Sequence, residues 1–223
     1  IRSGPWWRDH LEVASHDVRG DVRDFLEDVV SALAERTSPP EWCARWTDLD
    51  GVASAVLTAD SEEVFEGEVL AAVVDSLPSG GTLFVSNSMP VRDLDAFGGG
   101  GTKALSVFGN RGVSGIDGIV STVAGIAVAR GREGSDGAGQ GRSPVVAVLG
   151  DIAFHHDMNG LLAISKYRLN VLLVVINNDG GGIFHMLPIE EHEPEFTQYV
   201  ATPHGLDFRH AAELYGISYR CVG

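Results

Sequence analysis

The sequence predicts an α/β protein built on a parallel sheet with helices on both faces. Apolar runs at residues 82–86, 104–108, 145–149 and 171–176 have the length of strands and little polar alternation. Such runs are typical of parallel strands that are buried on both faces. Segments with helical spacing lie between the runs, and alternating strands and helices favour crossovers within one parallel sheet.

Helices are predicted wherever apolar residues recur every three or four positions. The first spans residues 21–36, and TSPP at 37–40 ends it and can start a second helix, because proline suits a first helical turn. Asp60 and Glu63 have the spacing of a capping box for a helix over residues 61–76. Later elements are predicted as helices over 115–129, 157–167 and 207–216, and a last strand beginning in ISYRC at 217–221.

We expect two parts in the chain. Residues 1–55 are interpreted as the tail of a preceding central domain with linker helices, and residues 56–223 as one α/β domain. That domain is expected to be truncated at its C-terminus, because the sequence stops just after the predicted last strand. The given sequence also begins with Ile1 rather than with methionine. The Gly-rich segment 131–143 is interpreted as a disordered surface loop.

The formal net charge of −15 argues against nucleic acid and anionic membranes as partners, because both are polyanions. No apolar run approaches the length of about 20 residues that a membrane span needs. No signal peptide is recognisable in the sequence. We expect a cytoplasmic protein. Cys43 and Cys221 are isolated and indicate no disulfide or cysteine–metal framework. A composition rich in acids and poor in lysine suits a high-salt cytoplasm.

Polar residues follow two strands that are consecutive in the second half of the chain. Asp151 comes at the end of the strand at 145–149, and Asn178 comes after the strand at 171–176. A right-handed helical crossover returns the chain to the same edge of the sheet. If the strands are neighbours, the two side chains lie close together, since adjacent strands are about 4.8 Å apart.

A carboxylate and a carboxamide form an oxygen-only ligand set, which suits Mg²⁺ rather than Zn²⁺. Because the GGG run at 180–182 leaves the backbone accessible, the carbonyl of Gly180 is a candidate third ligand. Mg²⁺ held in this way usually completes its shell with water and phosphate oxygens. The backbone N–H groups of Ile152 and Ala153, at a helix start, are expected to face the same phosphates. Taken singly, the aspartate also fits an N-cap and the asparagines fit a turn.

The GD pair at 150–151 and the NN pair at 177–178 are similar to the GDG…NN signature of thiamine-diphosphate enzymes. Four longer stretches resemble the 2-succinyl-5-enolpyruvyl-6-hydroxy-3-cyclohexene-1-carboxylate synthases of menaquinone biosynthesis, called succinyl-enolpyruvyl synthases below. These stretches are LFVSNSMPVRDLDAF, NRGVSGIDGIVSTVAGIA, GDIAFHHDMNGLL and VVINNDGGGIFHMLP. The resemblance covers roughly residues 60–217 and implies the thiamine-diphosphate-binding fold, with residues 56–223 as the diphosphate domain.

The resemblance implies a metal and cofactor site. Asp151, Asn178 and the carbonyl of Gly180 would bind Mg²⁺, with Mn²⁺ as an alternative. The expected contacts to thiamine diphosphate come from Ser114, Ile116, Ile152 and Ala153. Ile116 would support the bent form of the cofactor, although a core position explains it equally well. Ala153 stands where a serine is common, so a hydroxyl contact to the diphosphate is not expected.

The resemblance also implies the substrates isochorismate and 2-oxoglutarate, which both carry carboxylates. Arg92 and Arg111, with Ser88, would bind these carboxylates, since a guanidinium grips a carboxylate through two hydrogen bonds. A lone arginine at a strand end would otherwise be interpreted as a surface ion pair. An apolar wall of the substrate pocket would be formed by Ile183, Phe184 and Leu187.

The implied reaction is a transferase reaction: 2-oxoglutarate loses CO₂ and adds to isochorismate in a 1,4-addition. It needs a glutamate near the cofactor aminopyrimidine, which the family supplies from a pyrimidine-binding domain, across a homodimer or tetramer. Nothing in residues 1–60 resembles that domain. We therefore expect no catalytic residue in this chain, inactivity of the chain on its own, and exposed apolar surface that favours self-association.

Two other functions remain as alternatives. One is a thiamine-diphosphate lyase of the acetolactate-synthase type, which shares GD…NN but is not expected to carry the paired arginine motifs. The other is a noncatalytic NAD- or FAD-binding module, which is disfavoured because no GxGxxG follows a strand. Among the remaining polar residues, His155 and His156 are expected to be structural or solvent-facing, His185 to lie nearer the pocket, and Asn87 and Asn110 to hold loops.

Overall fold

The computed structural model describes residues 11, 13–33, 40–57, 65–99, 103–132 and 144–222. The chain divides into two compact units, Ile1–Ala59 and Asp60–Gly223. The predicted capping box of Asp60 and Glu63 lies outside the described residues, as does the Gly-rich segment 131–143 except for its first two residues.

The first unit contains two helices, α1 (Val22–Leu33) and α2 (Pro40–Leu57). Asp21 precedes α1, and its side chain accepts a hydrogen bond from the backbone N–H of Arg23 at 2.7 Å, as an N-cap does. Pro40 is the first residue of α2, the position at which proline costs no helical hydrogen bond. Neither helix buries a side chain.

The second unit contains a four-stranded parallel sheet, which agrees with the predicted fold class. The strands are β1 (Thr82–Val85), β2 (Ser106–Phe108), β3 (Val145–Gly150) and β4 (Val171–Ile176), in the order β2-β1-β3-β4. From β1 the chain continues to β2 on one side of the sheet, whereas from β3 it continues to β4 on the other side. The order therefore reverses between β1 and β3, and ligands of open α/β sheets bind at such a point, beyond the carboxyl ends of the strands.

The helices of this unit cover both faces of the sheet. They are α3 (Glu66–Ser76), α4 (Met89–Phe97), α5 (Ile119–Arg132), α6 (Asp151–Asp157), α7 (Leu161–Lys166) and α8 (Arg209–Tyr215). Phe84 packs with residues of α5, α6 and α7 in one core cluster. Its neighbours Leu83 and Val85 pack with residues of α3 and α4 in a second cluster. Both faces of β1 are thus buried, which accounts for the uninterrupted apolar runs in the sequence.

The helix predicted over 157–167 is interrupted in the structure. α6 begins at Asp151, a 3₁₀ turn covers Met158–Gly160, and α7 follows. The break coincides with Asp157, whose backbone leaves the helical region at φ −134°. Its carboxylate accepts the backbone N–H of Ser121 at 2.6 Å and the Ser121 hydroxyl at 3.0 Å, and so caps the first turn of α5.

The prediction of a strand at 217–221 is wrong, because these residues pair with no strand among the described residues. Gly216 has a left-handed backbone and ends α8, and the N–H of Ile217 donates to the carbonyl of Ala212 at 2.9 Å. This is the hydrogen bond of a Schellman C-cap. The apolar side chain of Ile217 packs against the first core cluster instead of entering the sheet.

None of the helices in the described part of the chain combines the length and the hydropathy that crossing a bilayer requires.

Asp93, on α4, is a buried carboxylate that destabilises the fold when it is ionised. It is 4% exposed, and its Oδ2 atom has no hydrogen-bond partner among the described residues. Burial, and after it the negative charge of Glu66, raises the pKa of Asp93 above its ordinary value. Because the pKa is raised in the folded state, stability is lost as the pH rises through the folded pKa.

We therefore expect Asp93→Asn to raise the melting temperature by about 2–4 °C at pH 7.5, and to raise it less at pH 4, because Asp93 takes up its proton at a higher pH than an ordinary aspartate. Thermal unfolding followed by circular dichroism at both pH values measures the difference. Asp95→Asn, an exposed position on the same helix, is the matched control. An equal gain at both pH values would contradict the electrostatic explanation.

Candidate functional site

A cavity of about 460 Å³ opens at the carboxyl ends of β1, β3 and β4. It lies at the point where the strand order reverses. With the exception of Leu187, every residue predicted for the site lines it: Ser88, Arg92, Arg111, Ser114, Ile116, Asp151, Ile152, Ala153, Asn178, Gly180, Ile183 and Phe184. Leu187 is 49% exposed and its backbone N–H closes the turn on Phe184, so the structure does not bring it into the cavity.

Asp151 is the first residue of α6, directly after β3, and its side chain is 3% exposed. The Oδ2 atom accepts a hydrogen bond from the backbone N–H of Gly180 at 2.9 Å and lies 3.2 Å from Nε2 of His204. The Oδ1 atom accepts the N–H of Ile152 at 2.6 Å. The buried carboxylate is thus held by hydrogen bonds at both oxygens, as a buried charge requires.

Asn178 follows β4 and lies at the same edge of the sheet as Asp151. The reason is that Gly150 and Ile176 pair in register at the carboxyl ends of β3 and β4. Its Nδ2 atom donates to Oε1 of Glu66 at 2.7 Å, which orients the amide and leaves its oxygen as the available ligand atom. This juxtaposition of Asp151 and Asn178 was predicted from the crossover alone.

The GGG run is needed at this point because side chains would not fit. Gly180 is buried with φ +140°, and a Cβ atom there would collide with the carbonyl oxygen of Ala201. A Cβ atom at Gly182 would collide with the amide of Asn178. The carbonyl of Gly180 accepts the N–H of Gly182 at 3.0 Å, and its second lone pair stays available for a cation.

Backbone strain is concentrated around the cavity. Three of its lining residues that are not glycine have positive φ: Ser88 at 73°, Ser114 at 65° and Thr202 at 47°. Asp179, between Asn178 and Gly180, has φ 63°. Such conformations cost free energy and persist where the surrounding structure enforces them, which is common at functional sites.

Asn87 ties the end of β1 to the loop that carries Arg111. Its buried Nδ2 atom donates to the carbonyls of Asn110 at 2.9 Å and Gly115 at 2.5 Å. Its Oδ1 atom accepts a hydrogen bond from Nη1 of Arg111 at 2.5 Å. The Asn110 side chain in turn donates to the hydroxyl of Thr122 at 3.1 Å. These bonds confirm the prediction that Asn87 and Asn110 hold loops, and they also orient one of the two arginines.

The second arginine of the cavity, Arg92, donates from Nη1 to the carbonyl of Ser88 at 2.6 Å. Both guanidinium groups line the same cavity. Arg92 is held by the Ser88 carbonyl and Arg111 by the Asn87 side chain. In a chain with a formal net charge of −15, the pair forms a local positive site for anions.

Four histidines, at positions 155, 156, 185 and 204, differ in their surroundings. His155 and His156 are exposed on α6, in agreement with the expectation of solvent-facing residues. His185 does not line the cavity; it pairs with Glu190 at 3.0 Å and packs its ring against Phe196. His204 is different, because it contacts Asp151 although no feature of the sequence pointed to it.

Asp179 belongs to the same hydrogen-bond network. Its Oδ1 atom accepts the backbone N–H groups of Gly205 at 2.7 Å and His204 at 3.0 Å. The hydrogen bond from Gly205, with help from His204, lowers the pKa of the Asp179 carboxyl below its ordinary value despite an opposing contribution from desolvation. Glu66, Asn87, Asp179 and His204 are thus partners of the predicted site that sequence reasoning did not assign to it.

The donor set fits a hard divalent cation. It offers one carboxylate, one amide oxygen and one backbone carbonyl, and these are oxygen ligands that Mg²⁺ accepts. Across the described ranges, no cluster of three or more His, Cys, Asp or Glu could hold a metal, so a zinc-type centre has no support there.

Comparison with known proteins gives consistent relationships. A model of the family described as "Thiamine pyrophosphate enzyme, C-terminal TPP binding domain" matches residues 108–222. A 2-succinyl-5-enolpyruvyl-6-hydroxy-3-cyclohexene-1-carboxylate synthase from Roseiflexus castenholzii is 45% identical over 221 residues, which is 98% of this chain and 36% of the relative. A protein of the same name from Halorubrum lacusprofundi is 48% identical over 223 residues, covering 96% of this chain and 34% of the relative. The chain thus spans about a third of the length of these curated relatives.

Solved structures agree with the fold. Benzoylformate decarboxylase from Polynucleobacter necessarius aligns with a TM-score of 0.55 at 20% identity, over 70% of this chain and 28% of that protein. A thiamin diphosphate-dependent enzyme from Mycobacterium smegmatis, described as putative, aligns with a TM-score of 0.53 at 21% identity, over 70% of this chain and 26% of that one. The chain therefore belongs to the family of thiamine pyrophosphate enzymes, with their C-terminal TPP-binding domain at residues 108–222.

Proposed function

We propose that this chain is the diphosphate-binding part of a succinyl-enolpyruvyl synthase, a transferase of menaquinone biosynthesis. The whole enzyme would join isochorismate to 2-oxoglutarate with loss of CO₂. The observation that carries the proposal is that one cavity collects both the oxygen ligands and the two arginines. The names of the relatives from Roseiflexus and Halorubrum support the same activity.

In this proposal, Asp151, Asn178 and the Gly180 carbonyl would hold Mg²⁺, or Mn²⁺ in its place, which would neutralise the charge of the thiamine diphosphate. When bound, the cofactor would supply the electron sink for decarboxylation and carbon–carbon bond formation. Ser114, Ile116, Ile152 and Ala153 line the cavity where cofactor contacts are needed. The Ile152 N–H is already bonded to Asp151, so its contribution is to orient the metal ligand rather than to bind phosphate.

Arg92 and Arg111 bind the carboxylates of the two substrates, with Ser88 beside Arg92. Ile183 and Phe184 form the apolar wall of the cavity, which excludes water and strengthens the charge interactions inside it. The arginines orient the reacting carbons by holding the carboxylates, and the wall keeps the site dry during carbon–carbon bond formation. Leu187 would join the wall only if the 182–191 segment moves toward the cavity.

The remaining parts of the enzyme are proposed from the family. Residues 56–223 would be the diphosphate domain and residues 1–55 the tail of a central domain. A pyrimidine-binding domain would supply the catalytic glutamate, across a homodimer or tetramer in the cytoplasm. Several apolar residues beside the cavity loops are exposed, with Val113 97% and Val107 52% accessible, and such positions suit burial against another domain.

The donor substrate distinguishes this function from that of an acetolactate-synthase-type lyase. We expect the complete gene product to release CO₂ from 2-oxoglutarate in the presence of isochorismate, Mg²⁺ and thiamine diphosphate, at a rate at least about 100-fold above that with pyruvate. Coupled detection of CO₂ and of the product by mass spectrometry measures both. Activity with pyruvate alone would contradict the proposal, and tight NADH binding without thiamine diphosphate binding would favour a nucleotide-binding module.

A further inference from the structure

We propose that His204 is a positioning residue that orients Asp151 for the metal, an inference that rests on the metal site proposed above. His204 lies between the π-helical turn Thr197–Ala201 and α8. It does not line the cavity, so it acts through its neighbours. Its ring lies against Asp151, the one negatively charged member of the proposed ligand set.

The hydrogen bonds of the ring define which nitrogen carries the proton. The backbone N–H of Leu206 donates to Nδ1 at 2.9 Å. A ring nitrogen that accepts a hydrogen bond carries no proton, so the neutral ring is protonated at Nε2. Nε2 lies 3.2 Å from Oδ2 of Asp151 and donates to it. The neutral imidazole therefore suffices for this contact.

The contact fixes the orientation of the carboxylate. Oδ2 receives two donors, the His204 ring and the N–H of Gly180 at 2.9 Å, whereas Oδ1 receives the N–H of Ile152. Two donors on one oxygen resist rotation of the carboxylate about its Cβ–Cγ bond. Oδ1 is then the oxygen that keeps a lone pair for a cation.

The main chain at the same position holds the other half of the site. The backbone N–H groups of His204 and Gly205 donate to Oδ1 of Asp179, which stands between Asn178 and Gly180. His204 therefore joins the end of β3, through its ring, to the loop after β4, through its backbone. His204 thus contacts both Asp151 and the loop that carries Asn178 and Gly180, and fixes their relative positions.

Packing holds the ring in place. The His204 side chain is 12% exposed, and its ring centroid lies 5.5 Å from that of Phe208. Phe208 in turn packs edge-on against Phe154 of α6, the helix that begins with Asp151. Partners of this kind fix the orientation of metal ligands, and their loss typically weakens metal affinity about 10–100-fold.

Two substitutions separate the hydrogen bond from the packing. His204→Phe keeps a ring against Phe208 but removes the donor, whereas His204→Gln places an amide N–H near the position of Nε2. We expect Mn²⁺ to bind the complete gene product, with thiamine diphosphate present, about 10–100-fold more weakly in His204→Phe and within about 3-fold of wild type in His204→Gln. Electron paramagnetic resonance of free Mn²⁺ measures the affinity without recourse to activity.

The exposed His156 on α6 provides the matched control, and His156→Phe should leave Mn²⁺ affinity unchanged. Wild-type affinity in His204→Phe would overturn the inference. Equal losses in His204→Phe and His204→Gln, together with lower melting temperatures, would assign His204 a packing role and overturn it as well. A wild-type protein that binds no Mn²⁺ would instead remove the metal site, and with it the proposed function.

Discussion

Asp151→Asn is expected to weaken the metal-dependent binding of thiamine diphosphate at least about 100-fold, or by about 2.7 kcal/mol. The physical reason is that the substitution removes the only charge in the proposed ligand set. Asparagine cannot satisfy the donors and the metal together, because the N–H groups of Gly180 and Ile152 approach the two oxygens separately. An amide nitrogen would therefore face either a backbone donor or the cation. Isothermal titration of the complete gene product with thiamine diphosphate, at saturating Mg²⁺, measures the loss.

The matched control is Asp157→Asn, which makes the same chemical change at the other end of α6. Asp157 caps α5 and does not line the cavity, so this variant should lose some stability and keep its cofactor affinity. Melting temperatures of both variants separate the two effects. If Asp151→Asn bound thiamine diphosphate with wild-type, Mg²⁺-dependent affinity, the carboxylate could not be a metal ligand.

The core of the fold and the juxtaposition of the candidate site residues were predictable because they depend on regular patterns. Buried parallel strands read as continuous apolar runs, and a right-handed crossover between consecutive strands places Asp151 and Asn178 at one edge. The paired strands β3 and β4 confirm that neighbour relationship. Helix boundaries were less predictable, because α6 ends where Asp157 is drawn to α5, a contact 36 positions away in the chain.

The partners of the site residues were not predictable for the same reason. Glu66 bonds Asn178 across 112 positions, and His204 reaches Asp151 across 53. Neither residue belongs to a motif or to a periodic face that points toward the cavity. Asn87 carried a weak signal, because it directly follows the strand predicted at 82–86, much as Asp151 and Asn178 come shortly after the strands predicted at 145–149 and 171–176. A polar residue at the carboxyl end of a buried parallel strand therefore has to be considered at every strand of such a sheet.

Arg111→Ala should lower kcat/KM of the complete enzyme by about 100–1,000-fold, or about 3–4 kcal/mol, chiefly through a higher KM for one carboxylate substrate. Arg111 is held by Asn87 with its guanidinium on the cavity lining. A guanidinium offers a fork of donors to a carboxylate, whereas an ammonium offers a point charge. Arg111→Lys should accordingly recover part of the loss. Steady-state kinetics with isochorismate and 2-oxoglutarate varied in turn measures the effect.

Arg168→Ala is the matched control for this prediction. Arg168 is exposed in the turn between α7 and β4, at the amino-terminal ends of the strands and away from the cavity, with φ 49°. Alanine adopts that backbone at a cost similar to that for arginine, so the control removes one positive charge without altering strain. Its kinetic constants should stay within about 2-fold of wild type. A loss in Arg111→Ala that came with a lowered melting temperature and unchanged KM values would indicate a loop-holding role instead.

The two arginines can then be assigned to separate carboxylates. Arg92 is held by the carbonyl of Ser88 and Arg111 by Asn87, so the described side-chain contacts give them no shared partner. Groups without a shared partner usually contribute additively, to within about 0.5 kcal/mol. If each arginine holds a different substrate, Arg92→Ala and Arg111→Ala will raise the KM of different substrates. A rise in the same KM from both variants would place the two guanidinium groups on one substrate, and unchanged KM values in both would remove them from substrate binding.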